Sequence, residues 1–123
     1  MTIAIWCVLA AGLLPYLVFG PASAKLDTLL PRVSARSLEG LPARAYGAHL
    51  NHFETFPLFA VAVLLAQMLE GANATINLLA VLYVAVRLIY TFFYLSNLQP
   101  FRSIAFFVGL LVAIAIFVHP AFH

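Results

Sequence analysis

Asn51, Glu54, Arg87, Tyr90, Tyr94 and Arg102 have the types and spacing for chemistry. Asn51, His52 and Glu54 stand at the head of a run, Phe56 to Leu69, that is otherwise almost purely apolar, and Arg87 interrupts another. A charged side chain at the centre of a spanning helix costs roughly 2.5–3.5 kcal/mol on insertion scales, and the usual reason to keep one is function. Asn51 and Glu54 are three residues apart, and Arg87, Tyr90 and Tyr94 fall at i, i+3 and i+7, so each set shares one helix face. Glu54 lies ten residues beyond Arg44, about 15 Å along a helix, and Arg87 eleven residues before Leu98, about 16 Å. The matching depths predict a Glu54–Arg87 pair, because buried charges of opposite sign need one another. With Arg102 across the next turn, these residues form a polar stripe running from one membrane face to mid-membrane. Such a stripe suits a small charged molecule, whose carboxylates would meet arginines and whose ammonium would meet Glu54. In the plainer reading the pair and Asn51 are interhelical glue and the tyrosines are interfacial aromatics.

The elements that must position this stripe follow from composition. The chain has 123 residues, 65% hydrophobic and 8% charged, with mean hydropathy +1.07. Soluble domains average roughly 25% charged residues, so the chain reads as an integral membrane protein. Its length suits one all-α domain, residues 1–123, with about four spans of about 20 residues. The spacing predicts helices over residues 3–20, 43–69, 76–95 and 102–118. Pro21-Ala-Ser-Ala24 resembles a leader cleavage site. No Lys or Arg precedes the apolar core, however, and the core is longer than a leader's, so a retained helix is expected. Pro21, Pro31 and Pro42 punctuate the first loop and keep any helix in it short. Asn73-Ala-Thr75 matches a glycosylation acceptor, but its turn is too short and too close to the membrane for that use.

Lys25, Arg32, Arg36, Arg44 and Arg102 gather at one end of the predicted bundle, while the Glu70 turn and the termini have no Lys or Arg. The first and third loops are therefore expected in the cytoplasm, with both termini on the opposite side. The net charge of +2 does not suggest nucleic acid. Cys7 is alone, so no intrachain disulfide is possible, and it reads as a buried apolar residue. No metal site is expected. His49 and His52 share a face, but Glu54 is badly placed as a third ligand. His52 is expected near the headgroups, and His119 and His123 in a solvated tail.

The pattern Arg44-x6-Asn51-x2-Glu54-x2-Pro57-Leu-Phe59, then Arg87-x2-Tyr90-x3-Tyr94, then Arg102, resembles the MAPEG superfamily, the membrane-associated proteins of eicosanoid and glutathione metabolism. The resemblance runs from Arg44 to Arg102. It implies a four-helix subunit in a homotrimer, with glutathione as co-substrate bound between subunits near the cytoplasmic side. It implies that Asn51 and Glu54 bind the glutathione backbone and amino group, and that Arg44, Arg87, Tyr90 and Tyr94 contribute to the same site. Arg102 would face the thiol and act as the catalytic residue, favouring thiolate for attack on a lipophilic electrophile from the bilayer. Two positions differ. Several glutathione-active members carry a second arginine where this chain has Gly47, and tyrosine often stands where it has Thr55.

Those differences motivate a second reading, a non-catalytic binding protein on the same fold. A small proton-coupled transporter using Glu54 is a third. Such antiporters carry their carboxylate in the first helix, which here has none, and an Arg87 partner would hold Glu54 ionised.

Overall fold

The computed structural model describes residues 1–26, 29 and 34–122. Pro31, Arg32 and His123, counted above among loop and tail residues, lie outside the described residues. Helix α1 spans Ile3–Val18 and is followed by a single turn, α2, over Gly20–Ser23. A short 3-10 turn, Ala35–Ser37, precedes α3, Gly40–Glu70; α4 is Ala74–Leu95 and α5 is Gln99–Val118, with a last 3-10 turn over His119–Ala121. Four stretches are long and apolar enough to cross a membrane: Ile3–Ser23, Gly40–Glu70, Ala74–Leu95 and Gln99–Ala121. The chain is thus an integral, multi-pass membrane protein of all-α class.

Local chemistry sets the helix ends. The Thr2 hydroxyl accepts from the Ile5 N–H and opens α1. Gly71, at φ +70°, ends α3, a conformation that favours glycine. The Asn73 side chain then accepts from the Thr75 and Ile76 N–H groups, at 2.8 and 3.1 Å, and starts α4. At the far end of α4, Asn97 adopts φ +59°, the Leu98 N–H reaches the Phe93 carbonyl and the Asn97 N–H reaches the Tyr94 carbonyl. This pair of bonds is a Schellman closure, and it turns the chain within a few residues toward α5. Pro42 and Pro100 lie in the first turns of α3 and α5, where a missing N–H costs little.

Both α1 and α5 pack against the α3–α4 pair. Small residues allow close approach. Ala4, Cys7 and Ala11 of α1 meet Ala62, Val63 and Ala66 of α3, with Ile76 and Ala80 of α4 and Val112, Ala113 and Ile116 of α5 completing the core. Phe59 stacks on Tyr83 at 3.9 Å. At the end bearing the termini, Thr2 bonds Gln67, the Ala4 N–H donates to Asn77, and His119 meets Glu70 at 3.0 Å. At the basic end, the Arg44 Nε donates to the Leu95 carbonyl at 3.0 Å. These bonds fix an up-down-up-down bundle with Arg44 and Arg102 at the same end.

Candidate functional site

The half of the bundle toward the basic end contains the polar stripe. Arg87 of α4 is 2% exposed and points at α3. Its Nη2 donates to Asn51 Oδ1 at 2.7 Å and to His52 Nδ1 at 2.9 Å, and its Nε lies 3.3 Å from the same ring nitrogen. A guanidinium can only donate, so His52 Nδ1 accepts and carries no proton. His52 Nε2 therefore holds the proton and donates to Thr91 Oγ1 at 2.8 Å, and Thr91 donates back to the Arg87 carbonyl. The circuit is closed, and every member is buried except Asn51, which reaches the surface of a cavity.

Two expectations are corrected here. Arg87 is not paired with Glu54: Asn51 and His52 hold it, and Glu54 is exposed, with no hydrogen bond or ion pair among the described residues. His52 is not a headgroup contact. It is 3% exposed and lies between α3 and α4. Thr91, i+4 from Arg87 on the same face, was the available signal that a polar partner faced this region.

The cavity has a volume of about 390 Å3. It is lined by Gly47, Leu50, Asn51 and Glu54 from α3, Tyr90 and Tyr94 from α4, and Arg102, Ser103, Phe106 and Phe107 from α5. The structure therefore brings Asn51, Glu54, Tyr90, Tyr94 and Arg102 together. Arg87 sits behind Tyr90, its Cζ 4.2 Å from the ring centroid, and Arg44 lies outside the lining, tied to the end of α4. Leu50, Ser103, Phe106 and Phe107 were not anticipated; their types carry no chemical signal in an apolar helix. A second crevice beside Thr55, Tyr83, Arg87 and Gly109 has a volume of about 10 Å3, room for no more than about one water.

Each polar group in the cavity is left with a defined capacity. Asn51 Oδ1 is used by Arg87, so its amide N–H groups remain for a ligand. Glu54 offers an uncommitted carboxylate. Arg102 rests on the Tyr94 ring, Cζ 4.6 Å from the centroid, and its guanidinium makes no hydrogen bond or ion pair among the described residues, so its donors are unspent. The Tyr94 phenol lies over Gly47, where a Cβ would overlap Oη and lie 2.9 Å from Cζ. Thr55 donates to the Asn51 carbonyl and does not line the cavity.

The MAPEG family profile matches residues 3–122, nearly the whole chain. The chain belongs to the MAPEG family. No curated protein and no solved structure matches it. The family includes glutathione transferases and peroxidases of membranes, and the four spans described above agree with its subunit architecture. In this MAPEG member the site residues from α3, α4 and α5 converge on one cavity wall, and α1 contributes none of the lining.

Proposed function

We propose that the cavity binds glutathione and presents its thiolate to a lipophilic electrophile, making the protein a transferase or peroxidase of MAPEG type. The observation that carries this reading is the lining itself. An unspent guanidinium, a free carboxylate, an amide donor and two phenols surround about 390 Å3 beside half-open phenylalanines. That size lies in the usual range for small-molecule sites, roughly 300–1,000 Å3. Glu54 takes the ammonium, the Asn51 amide N–H groups take a carbonyl or carboxylate of the backbone, and Arg102 faces the sulfur. The homotrimer implied by the family would bring a second copy to the exposed side of Glu54. The basic end faces the cytoplasm, where glutathione is supplied, and the exposed Phe107 borders the lipid that supplies the electrophile.

A free thiol has a pKa of about 8.5, so little is thiolate at neutral pH. The permanent charge of Arg102 favours the anion, and the proton passes to water. The thiolate sulfur attacks an electrophilic carbon. A C–S bond forms, the bond to the leaving group or epoxide oxygen breaks, and that group takes up a proton. With a hydroperoxide the sulfur attacks the terminal oxygen, the O–O bond breaks, and the alkoxide takes up a proton and leaves as the alcohol. The sulfenic product then condenses with a second glutathione to the disulfide and water.

The test is calorimetric titration of glutathione into detergent-solubilised protein, with thiolate absorbance followed in the wild type and in Arg102→Leu. Saturable binding in both, with thiolate in the wild type alone, is expected. Equal thiolate in Arg102→Leu removes the catalytic assignment. Folded protein with no affinity for glutathione or other small thiols favours the non-catalytic binding protein. The freedom of Glu54 from Arg87 also fits a proton-coupled transporter, whose carboxylate must load and release a proton. Drug-driven proton flux in liposomes, lost in Glu54→Gln, would select that reading.

A further inference from the structure

We propose that Gly47 is a positioning residue: it seats the Tyr94 ring, and that ring holds the Arg102 guanidinium at the cavity. The inference rests on the role given above to Arg102. Gly47 lies within the regular helix α3 and does not have a positive φ, so its backbone conformation does not call for glycine. Glycine is a poor helix former there. The space around it does call for glycine. A Cβ would overlap the Tyr94 Oη, lie 2.9 Å from Cζ and 3.3 Å from Cε1.

The ring has few directions in which to yield. Tyr90 meets it edge-on with centroids 5.7 Å apart. Tyr90 is itself buried under the Arg87 guanidinium, which Asn51 and His52 fix. A side chain at position 47 therefore drives Tyr94 toward the cavity, where Arg102 rests on it. Displacing the ring removes the cation–π platform and frees the long Arg102 side chain to swing away from the sulfur position. A glycine that served packing alone would change stability and leave the chemistry of the bound thiol untouched.

The experiment measures the pH midpoint of glutathione thiolate formation, with thermal unfolding in parallel, for the wild type, Gly47→Ala, Tyr94→Phe, the double variant Gly47→Ala/Tyr94→Phe, and Tyr94→Leu. Gly47→Ala is expected to raise the midpoint by about one unit, a tenfold loss of thiolate at pH values well below the midpoint. Tyr94→Phe keeps the ring without Oη and is the reference against which the double variant is read. The double variant recovers part of the loss, because removing Oη removes the closest overlap. Tyr94→Leu removes the ring with Gly47 intact and is expected to raise the midpoint as Gly47→Ala does. If Gly47→Ala does not fold, Tyr94→Leu decides, and a wild-type midpoint in it overturns the proposal. A wild-type midpoint in Gly47→Ala, or a double variant no better than Gly47→Ala, also overturns it while leaving the glutathione reading intact. Absence of thiolate in the wild type at every pH overturns both.

Discussion

Replacing Glu54 by Gln separates a carboxylate kept for a ligand from one kept for the fold. Had Glu54 been locked to Arg87 inside the bundle, Glu54→Gln would strand a buried charge and destabilise by about 3–5 kcal/mol. In the structure Glu54 is exposed, and the Arg87 donors are taken by Asn51 and His52. The substitution then changes stability by under about 0.5 kcal/mol, as surface changes away from special features do. Its effect falls on the ligand. A hydrogen bond to a charged group contributes about 1.5–3 kcal/mol, so loss of the ammonium contact should weaken glutathione binding by about 10- to 150-fold. Thermal unfolding in detergent and calorimetric titration on the same preparations give both numbers. A variant that unfolds far below the wild type refutes the reasoning, because Glu54 would then be part of the fold. An unaltered glutathione affinity refutes the ligand contact.

His52→Phe should show the opposite pattern in stability. It removes the acceptor for two Arg87 donors and the donor to Thr91 within a buried circuit, and a loss of about 3 kcal/mol or more is expected by thermal unfolding. Asn73→Ala removes the cap of α4 together with the 2.8 Å bond from Asn73 to Glu70, far from the cavity. It should cost about 1 kcal/mol in stability and leave glutathione affinity unchanged in the same titration.

Most of the fold was legible because four apolar runs are separated by short stretches rich in Pro, Gly, Asn and charge, and spanning length is set by the bilayer. The positions of Asn51, Glu54, Tyr90, Tyr94 and Arg102 on one wall were legible too, because three- and four-residue spacings fix which side chains share a helix face. The Glu54–Arg87 pair was misread for a geometrical reason. Counting residues gives depth, at 1.5 Å per residue, but says nothing of the rotation of each helix about its own axis. Asn51 and His52 are about 100° apart around α3, and both reach Arg87, which fixes α3 with Glu54 turned outward. The start of α3 at Gly40, ahead of Pro42, was missed because proline suits any place in a first turn. Gly47 was visible as a departure from the family pattern, yet its meaning depended on where the Tyr94 ring lies, and no local rule supplies that.

Arg87 has all its nearest partners neutral, so its hydrogen bonds are satisfied while its charge is not cancelled. The charges around the cavity thus set up a gradient from the exposed carboxylate of Glu54 to two guanidinium groups, Arg102 in the lining and Arg87 in the inner wall behind Tyr90. In a setting of effective dielectric near 20, a unit charge about 10 Å away still acts with roughly 1–2 kcal/mol, several times its strength in water. A zwitterion entering this gradient experiences a torque before it makes any contact. Under the glutathione reading proposed above, its cationic end is drawn toward Glu54 and its carboxylates toward the two arginines, so the placement of charge would set the polarity of entry.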